Sequence, residues 1–121
     1  MRDPIVMRLR AEVHLHLDPI WQQAALTGGY TSKEARKFTG PGAYYFEQVA
    51  RSRVYAWLAE QMGMTREECH ASKFTAAQCE QAIAILAGVT FAEVRSWAKR
   101  RGLKIRRWYD APAANREGAA A

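Results

Sequence analysis

The sequence predicts an all-α fold: a compact bundle of about five to six helices whose last two resemble a helix-turn-helix pair. Three observations carry this. Thr is followed three residues later by Glu or Gln at four places: Thr31 with Glu34, Thr65 with Glu68, Thr75 with Gln78 and Thr90 with Glu93. In that pattern the hydroxyl and the acceptor side chain reciprocally satisfy unpaired backbone N–H groups at a helix start. Gly28, Gly63, Gly88 and Gly102 each follow a helical pattern, as expected of a residue that ends helices by entering the left-handed region cheaply. Apolar residues recur at helical spacing, and the chain shows neither a βαβ pattern nor an internal repeat.

Taken in order, a first helix is expected over residues 5–17, interrupted at Asp18-Pro19. There Asp can cap and Pro can open a continuation that ends near Leu26. A short helix from Ser32 precedes a Gly40-Pro41-Gly42 turn. Residues 43–62 form the longest predicted helix, with Tyr45, Val49, Val54, Trp57, Leu58 and Met62 near helical spacing and a phase shift near Arg51. One helical turn at residues 66–70 and helices over 76–87 and 91–101 complete the set. At the last of these, Val89 and Val94 occupy the positions of a hydrophobic staple around the Thr90 cap. Residues 103–109 are the one stretch that reads as extended. The segment APAANREGAAA, residues 111–121, reads as a disordered tail after a single helical domain over 1–110.

Composition sets the class. A chain of 121 residues, 49% apolar with four Trp, five Tyr and four Phe, can fill one core. No run approaches the ~18 apolar residues of a membrane span. The N-terminal MRDPIVMRLR lacks the apolar centre of a signal peptide. Cys69 and Cys79 are too few for a disulfide framework, so reduced thiols in a cytoplasm are expected.

Charge is distributed unevenly. Residues 1–94 hold 10 Lys or Arg and 10 Asp or Glu, so the net charge of +6 resides wholly in residues 95–121. Within VRSWAKRRGLKIRRWY, residues 94–109, a helix from Phe91 would turn Phe91, Val94, Trp97 and Ala98 to the core and Arg95, Lys99 and Arg100 outward. The three-residue joint Gly88-Val89-Thr90 resembles that of a helix-turn-helix, in which the second helix enters a groove. Arg95 and Lys99 would then reach base edges or phosphates, with Lys104, Arg106 and Arg107 holding the backbone and Arg100 on the same nucleic-acid-binding surface. Trp108 or Tyr109 would stack on an unpaired base. The structural alternative is a helix pair with a solvated charged face, which any α domain can present. The charge excess leaves DNA, RNA, a nucleoprotein or an acidic protein surface as candidate partners.

A few other residues have the types that chemistry needs. His14 and Asp18 stand four apart on one helix face, and Cys69, His70 and Cys79 surround a capped turn. A structural zinc site takes four ligands, usually with a close Cys pair, and no CxxC is present. A hydrogen-bonded His14–Asp18 pair and buried cysteines are the simpler reading. Adjacent Cys69 and His70 would diverge by about 100° on a helix, which opposes a catalytic pair. Without paired carboxylates, a nucleophile elbow or a Gly-rich phosphate loop, no enzyme and no cofactor is expected; GGY and GPG read as turns.

Three blocks resemble a known family: LRAEVHLHLDPIW (9–21), SRVYAWLAEQMGM (52–64) and EECHASKFTAAQC (67–79). They are similar to the C-terminal part of the phage and bacterial family described as zinc-finger-containing domain. His14, Asp18, Pro19, Trp21, Tyr55, Leu58, Cys69, His70, Phe74 and Cys79 match it by position, over roughly residues 9–86. The family's N-terminal Cys-rich finger has no counterpart here, so the resemblance carries over no zinc site. The segment ALTGGYTSKEARKFTGPGAYYFEQVA (25–50) reads as an insertion. What the resemblance implies is an accessory protein of phage or mobile-element origin acting in the cytoplasm of a bacterial host. The expected function is nucleic-acid or nucleoprotein binding through the basic segment. The alternative is a protein-binding inhibitor of a host defence complex, such as an anti-CRISPR, docking through Tyr30, Phe38, Tyr44, Tyr45 and Phe46.

Overall fold

A computed structural model describes residues 3–102. The expected tail and the extended reading of 103–109 lie outside them. Among the described residues there is no strand, and the helices are α1 (Pro4–Gln22), α2 (Ala24–Thr27), α3 (Ser32–Lys37), α4 (Ala43–Met62), α5 (Ala76–Leu86) and α6 (Phe91–Arg100), with a 3₁₀ turn at Ala71–Lys73 before α5. The all-α class is as the sequence predicts.

α1 does not break at Asp18-Pro19. It runs through Pro19 and ends at Gln23, whose N–H bonds back to the Pro19 carbonyl at 2.9 Å. Val13, Leu17, Ile20 and Ala24 keep one buried phase across the proline, which itself stands on the exposed side. Apolar burial on one face therefore offsets the backbone bond that proline cannot make.

α4 is the central helix, packed against α1, α5 and α6. Its buried residues Phe46, Ala50, Val54, Tyr55, Trp57, Leu58 and Ala59 cover more than one face. This accounts for the phase shift near Arg51: a helix with neighbours on several sides does not confine its apolar residues to one arc. It ends in a Schellman motif. Gly63 takes φ 68°, its N–H bonds to the Glu60 carbonyl, and the Met64 N–H bonds to that of Ala59.

The connection from Thr65 to Phe74 departs from expectation. Thr65 and Glu68 exchange the predicted bonds, at 2.9 and 3.2 Å, but only a turn follows. Cys69, Ala71 and Phe74 are all buried, and steps of 100° would have put Cys69 and Ala71 on opposite sides of a helix. Arg10 on α1 holds the end of this connection, its Nε donating to the Phe74 carbonyl at 2.9 Å.

Two contacts fix the course of α6. Phe46 and Phe91, near the starts of α4 and α6, have ring centroids 6.4 Å apart. Near the ends, Trp97 Nε1 and Arg101 donate to the Glu60 carboxylate. The two helices therefore run side by side in one direction. α6 packs chiefly on α4 and α2, so it is held as a member of the bundle and not mainly by α5, its partner in the expected helix-turn-helix pair.

The caps differ in kind. At Thr31 and Thr75 both bonds of the capping box form. Thr90 stands at the N-cap, but its hydroxyl accepts nothing; the Glu93 N–H goes to the Thr90 backbone carbonyl at 3.1 Å. Thr75→Ala is expected to cost about 1 kcal/mol and Thr90→Ala no more than a few tenths. Urea unfolding of the two variants checks this, and equal losses would contradict it.

Candidate nucleic-acid interface

The final helix sorts its residues as its spacing predicts. Phe91, Val94, Trp97 and Ala98 are buried, while Glu93, Ser96, Lys99 and Arg100 are exposed. Among the described residues Lys99 and Arg100 have no carboxylate in ion-pair range. Arg101 is different, being paired with Glu60 across to α4. The free positive charge of α6 thus gathers in its last turn, where cations also complement the helix dipole. Lys104, Arg106, Arg107 and Trp108 lie outside the described residues.

Arg95 does not project freely, as a groove-reading side chain must. Its guanidinium carbon lies 4.0 Å from the Tyr30 ring centroid, Nη1 donates to the Gly28 carbonyl at 3.1 Å, and Nη2 is 3.7 Å from a Glu34 oxygen. Gly28 permits this closure: a Cβ there would stand 2.5 Å from the Tyr30 ring and 2.6 Å from the Ala24 carbonyl oxygen. Gly29 completes the bend at φ 76°. Burial pushes the Tyr30 phenol up to about 12, against the pull of Arg95. The backbone hydrogen bond from Thr31 holds the Glu34 carboxylate below its usual range. Arg95 is therefore a latch that ties α6 to the segment before α3, with its guanidinium engaged by Tyr30, Gly28 and Glu34.

The aromatic residues expected at a protein interface are largely inside. Phe46 is 1% exposed, stacked on Phe38 with centroids 3.9 Å apart, and Tyr30 meets Phe38 and Phe46 edge-on at 4.9 and 5.7 Å. Tyr45 is half-buried, and only Tyr44 is well exposed, at 73%. Phe46 is thus a core residue, and Tyr30 and Phe38 form its wall; the spacing of aromatics in the sequence could not distinguish these roles from docking.

Other candidates separate in the fold. His14 Nδ1 lies 3.4 Å from Asp18 Oδ1, the expected helical pair, and Asp18 also accepts from Trp21 Nε1 at 3.1 Å. Sequence reasoning missed this second bond, although Asp18 and Trp21 stand three apart on one helix. Among the described residues no helix is long and apolar enough to cross a membrane.

The family described as zinc-finger-containing domain matches residues 43–89, from the start of α4 to the joint before α6. The match leaves out the block at residues 9–21. It takes in AYYFEQVA (43–50), the end of the segment read as an insertion. No curated protein and no solved structure matches the chain.

The donors among the described residues do not assemble into a zinc site. Cys69 and Cys79 are fully buried; burial pushes the Cys69 thiol up to about 11 and also raises Cys79. A structural zinc takes four ligands, and among the described residues no three His, Cys, Asp or Glu side chains gather into a metal-holding group. These residues do not fit a structural zinc site. Thermal melts with and without a strong chelator are expected to coincide; a lower Tm in chelator would show that a metal contributes to folding.

Proposed function

We propose that this chain is a small non-enzymatic accessory protein of phage or mobile-element origin that binds nucleic acid or a nucleoprotein. The contact surface begins at the last turn of α6 and continues into the basic sequence beyond it. The observation that carries this reading is the confinement of the whole net charge of +6 to residues 95–121. Lys99 and Arg100, exposed and without an ion pair among the described residues, give that charge a defined starting point. The description of the matched family as zinc-finger-containing is consistent with a nucleic-acid partner. The docking alternative has less support, because Phe46 is in the core and Tyr30 and Phe38 pack on it.

The contact read this way is with the phosphate backbone. Arg95 is committed to Tyr30 and Gly28, and Glu93 is an exposed acid in the first turn of α6, where a recognition helix would meet bases. Binding is thus expected to be strong at low salt and nearly indifferent to sequence. Fluorescence anisotropy with labelled single- and double-stranded oligonucleotides tests it. Replacing Lys104, Arg106 and Arg107 by Ala, or Lys99 and Arg100 by Ala, should weaken binding to all sequences alike while leaving the melt unchanged within about 0.5 kcal/mol. A loss confined to one sequence would instead favour base reading, and no loss would remove the basic segment from the account.

A further inference from the structure

Two arginines in the family-matched block converge on one phenol ring. Arg51 stands one helical turn before Tyr55 on α4; its guanidinium carbon is 5.6 Å from the Tyr55 centroid and 6.0 Å from that of Trp21. Arg66, from the turn after α4, lies 5.1 Å from the Tyr55 centroid. Tyr55 is 5% exposed, so its ring is a buried aromatic contact that the two cations share. A guanidinium over an aromatic ring keeps its N–H donors in its own plane, and Arg51 gives one of them to the Tyr55 phenol. One donor of Arg66 reaches the Cys69 carbonyl at 3.4 Å.

Like Lys99 and Arg100, this pair has no counter-charge among the described residues. Arg95 and Arg101 each have a glutamate, whereas among the described residues neither Arg51 nor Arg66 has a carboxylate in ion-pair range. The acid of the cluster, Asp18, is engaged by His14 and by the Trp21 indole N–H. Its charge bears on Tyr55 along with that of Arg51, so the two arginines outnumber it. Arg51 is exposed, and Arg66, Trp21 and His14 are half-exposed, so a ligand in solution can reach the cluster.

We infer that Arg51 and Arg66, seated on Tyr55 and flanked by Trp21, form a phosphate-binding site distinct from the basic end of α6. Two guanidinium forks suit a tetrahedral phosphate, whose several charged oxygens can be shared between them. The phosphate belongs either to a free nucleotide or to a nucleic-acid backbone, and the flanking indole of Trp21 offers an apolar surface to the adjoining sugar or base.

Isothermal titration with inorganic phosphate, adenosine monophosphate and a short single-stranded oligonucleotide, in chloride at matched ionic strength, tests this. The expected result is binding that Arg51→Gln or Arg66→Gln each weakens about tenfold or more, as loss of a charge-assisted fork should. The Ala variant of Lys104, Arg106 and Arg107 should keep its affinity for inorganic phosphate and the mononucleotide, which separates this site from the α6 reading. Binding of the two small ligands identifies a free phosphate monoester; binding of the oligonucleotide alone, lost in R51Q and R66Q, identifies a backbone phosphate. Arg51→Lys and Arg66→Lys keep the charge and lose the fork, and decide the matter if the Gln variants do not fold. Affinity indifferent to both arginines, or a wild type that binds none of the three at about 10 mM and whose Tm none of them raises, overturns the inference.

Discussion

Phe46→Ala is expected to cost about 3 to 5 kcal/mol of folding stability, the usual range for removing a buried aromatic ring. The ring is 1% exposed and touches three others: it stacks on Phe38 and meets Tyr30 and Phe91 edge-on. Its loss would open a cavity where the segment around α3, the start of α4 and the start of α6 meet. Trp97→Ala falls in the same range, since it empties a buried position and leaves the Glu60 carboxylate without its indole donor. Urea denaturation measures both. A Phe46→Ala loss below about 1 kcal/mol would mean that the ring is not a packed core residue and would return it to the docking alternative.

Arg95→Ala is expected to lower stability by about 2 kcal/mol, combining a charge-assisted hydrogen bond and a cation–π contact at a partly covered site. The substitution removes the hydrogen bond to Gly28 and the stacking on Tyr30; the Glu34 pair, partly exposed and 3.7 Å long, adds little. The Tyr30 phenol, raised to about 12 by burial, adds a pH signature. Its folded pKa lies above the unfolded value of about 10, so the associated stability is complete below pH 10 and is lost as pH rises toward 12. If Arg95→Ala instead left the melt unchanged and cut nucleic-acid binding as strongly as loss of Lys99 and Arg100, the residue would be a contact and not a latch.

The sequence made the helices legible through local signals. Capping boxes at Thr31 and Thr75, the Gly63 stop and the 91-94-97-98 arc all depend on residues within a few positions of one another, and the structure reproduces each. Long-range contacts were not legible. Nothing near Arg95 in sequence announces Gly28, 67 residues away, and nothing near Phe46 separates a core aromatic from a docking one. The turn at residues 66–68 failed for a related reason: its capping signal was local and correct, but the inward demand of Cys69, Ala71 and Phe74 was set by the rest of the core. Likewise Pro19 marks a break by local rules, and the packing of Leu17, Ile20 and Ala24 carries the helix past it. At the candidate interface, composition identified the charge, and only the fold distinguished Arg95 and Arg101, each paired with a glutamate, from Lys99 and Arg100, which have no ion pair among the described residues.

The central claim is that the basic end of the chain binds nucleic-acid phosphates, and the salt dependence of binding measures this directly. Dissociation constants for a labelled oligonucleotide are determined at several salt concentrations for the wild type and for the Lys99→Ala, Arg100→Ala double variant. If Lys99, Arg100, Lys104, Arg106 and Arg107 each meet a phosphate, the log–log slope for the wild type should be about −3.5 to −4.5, and the double variant should flatten it by about 1.4 to 1.8. A wild type that binds neither DNA nor RNA below about 100 μM at moderate salt, or a slope the double variant leaves unchanged, would contradict the claim.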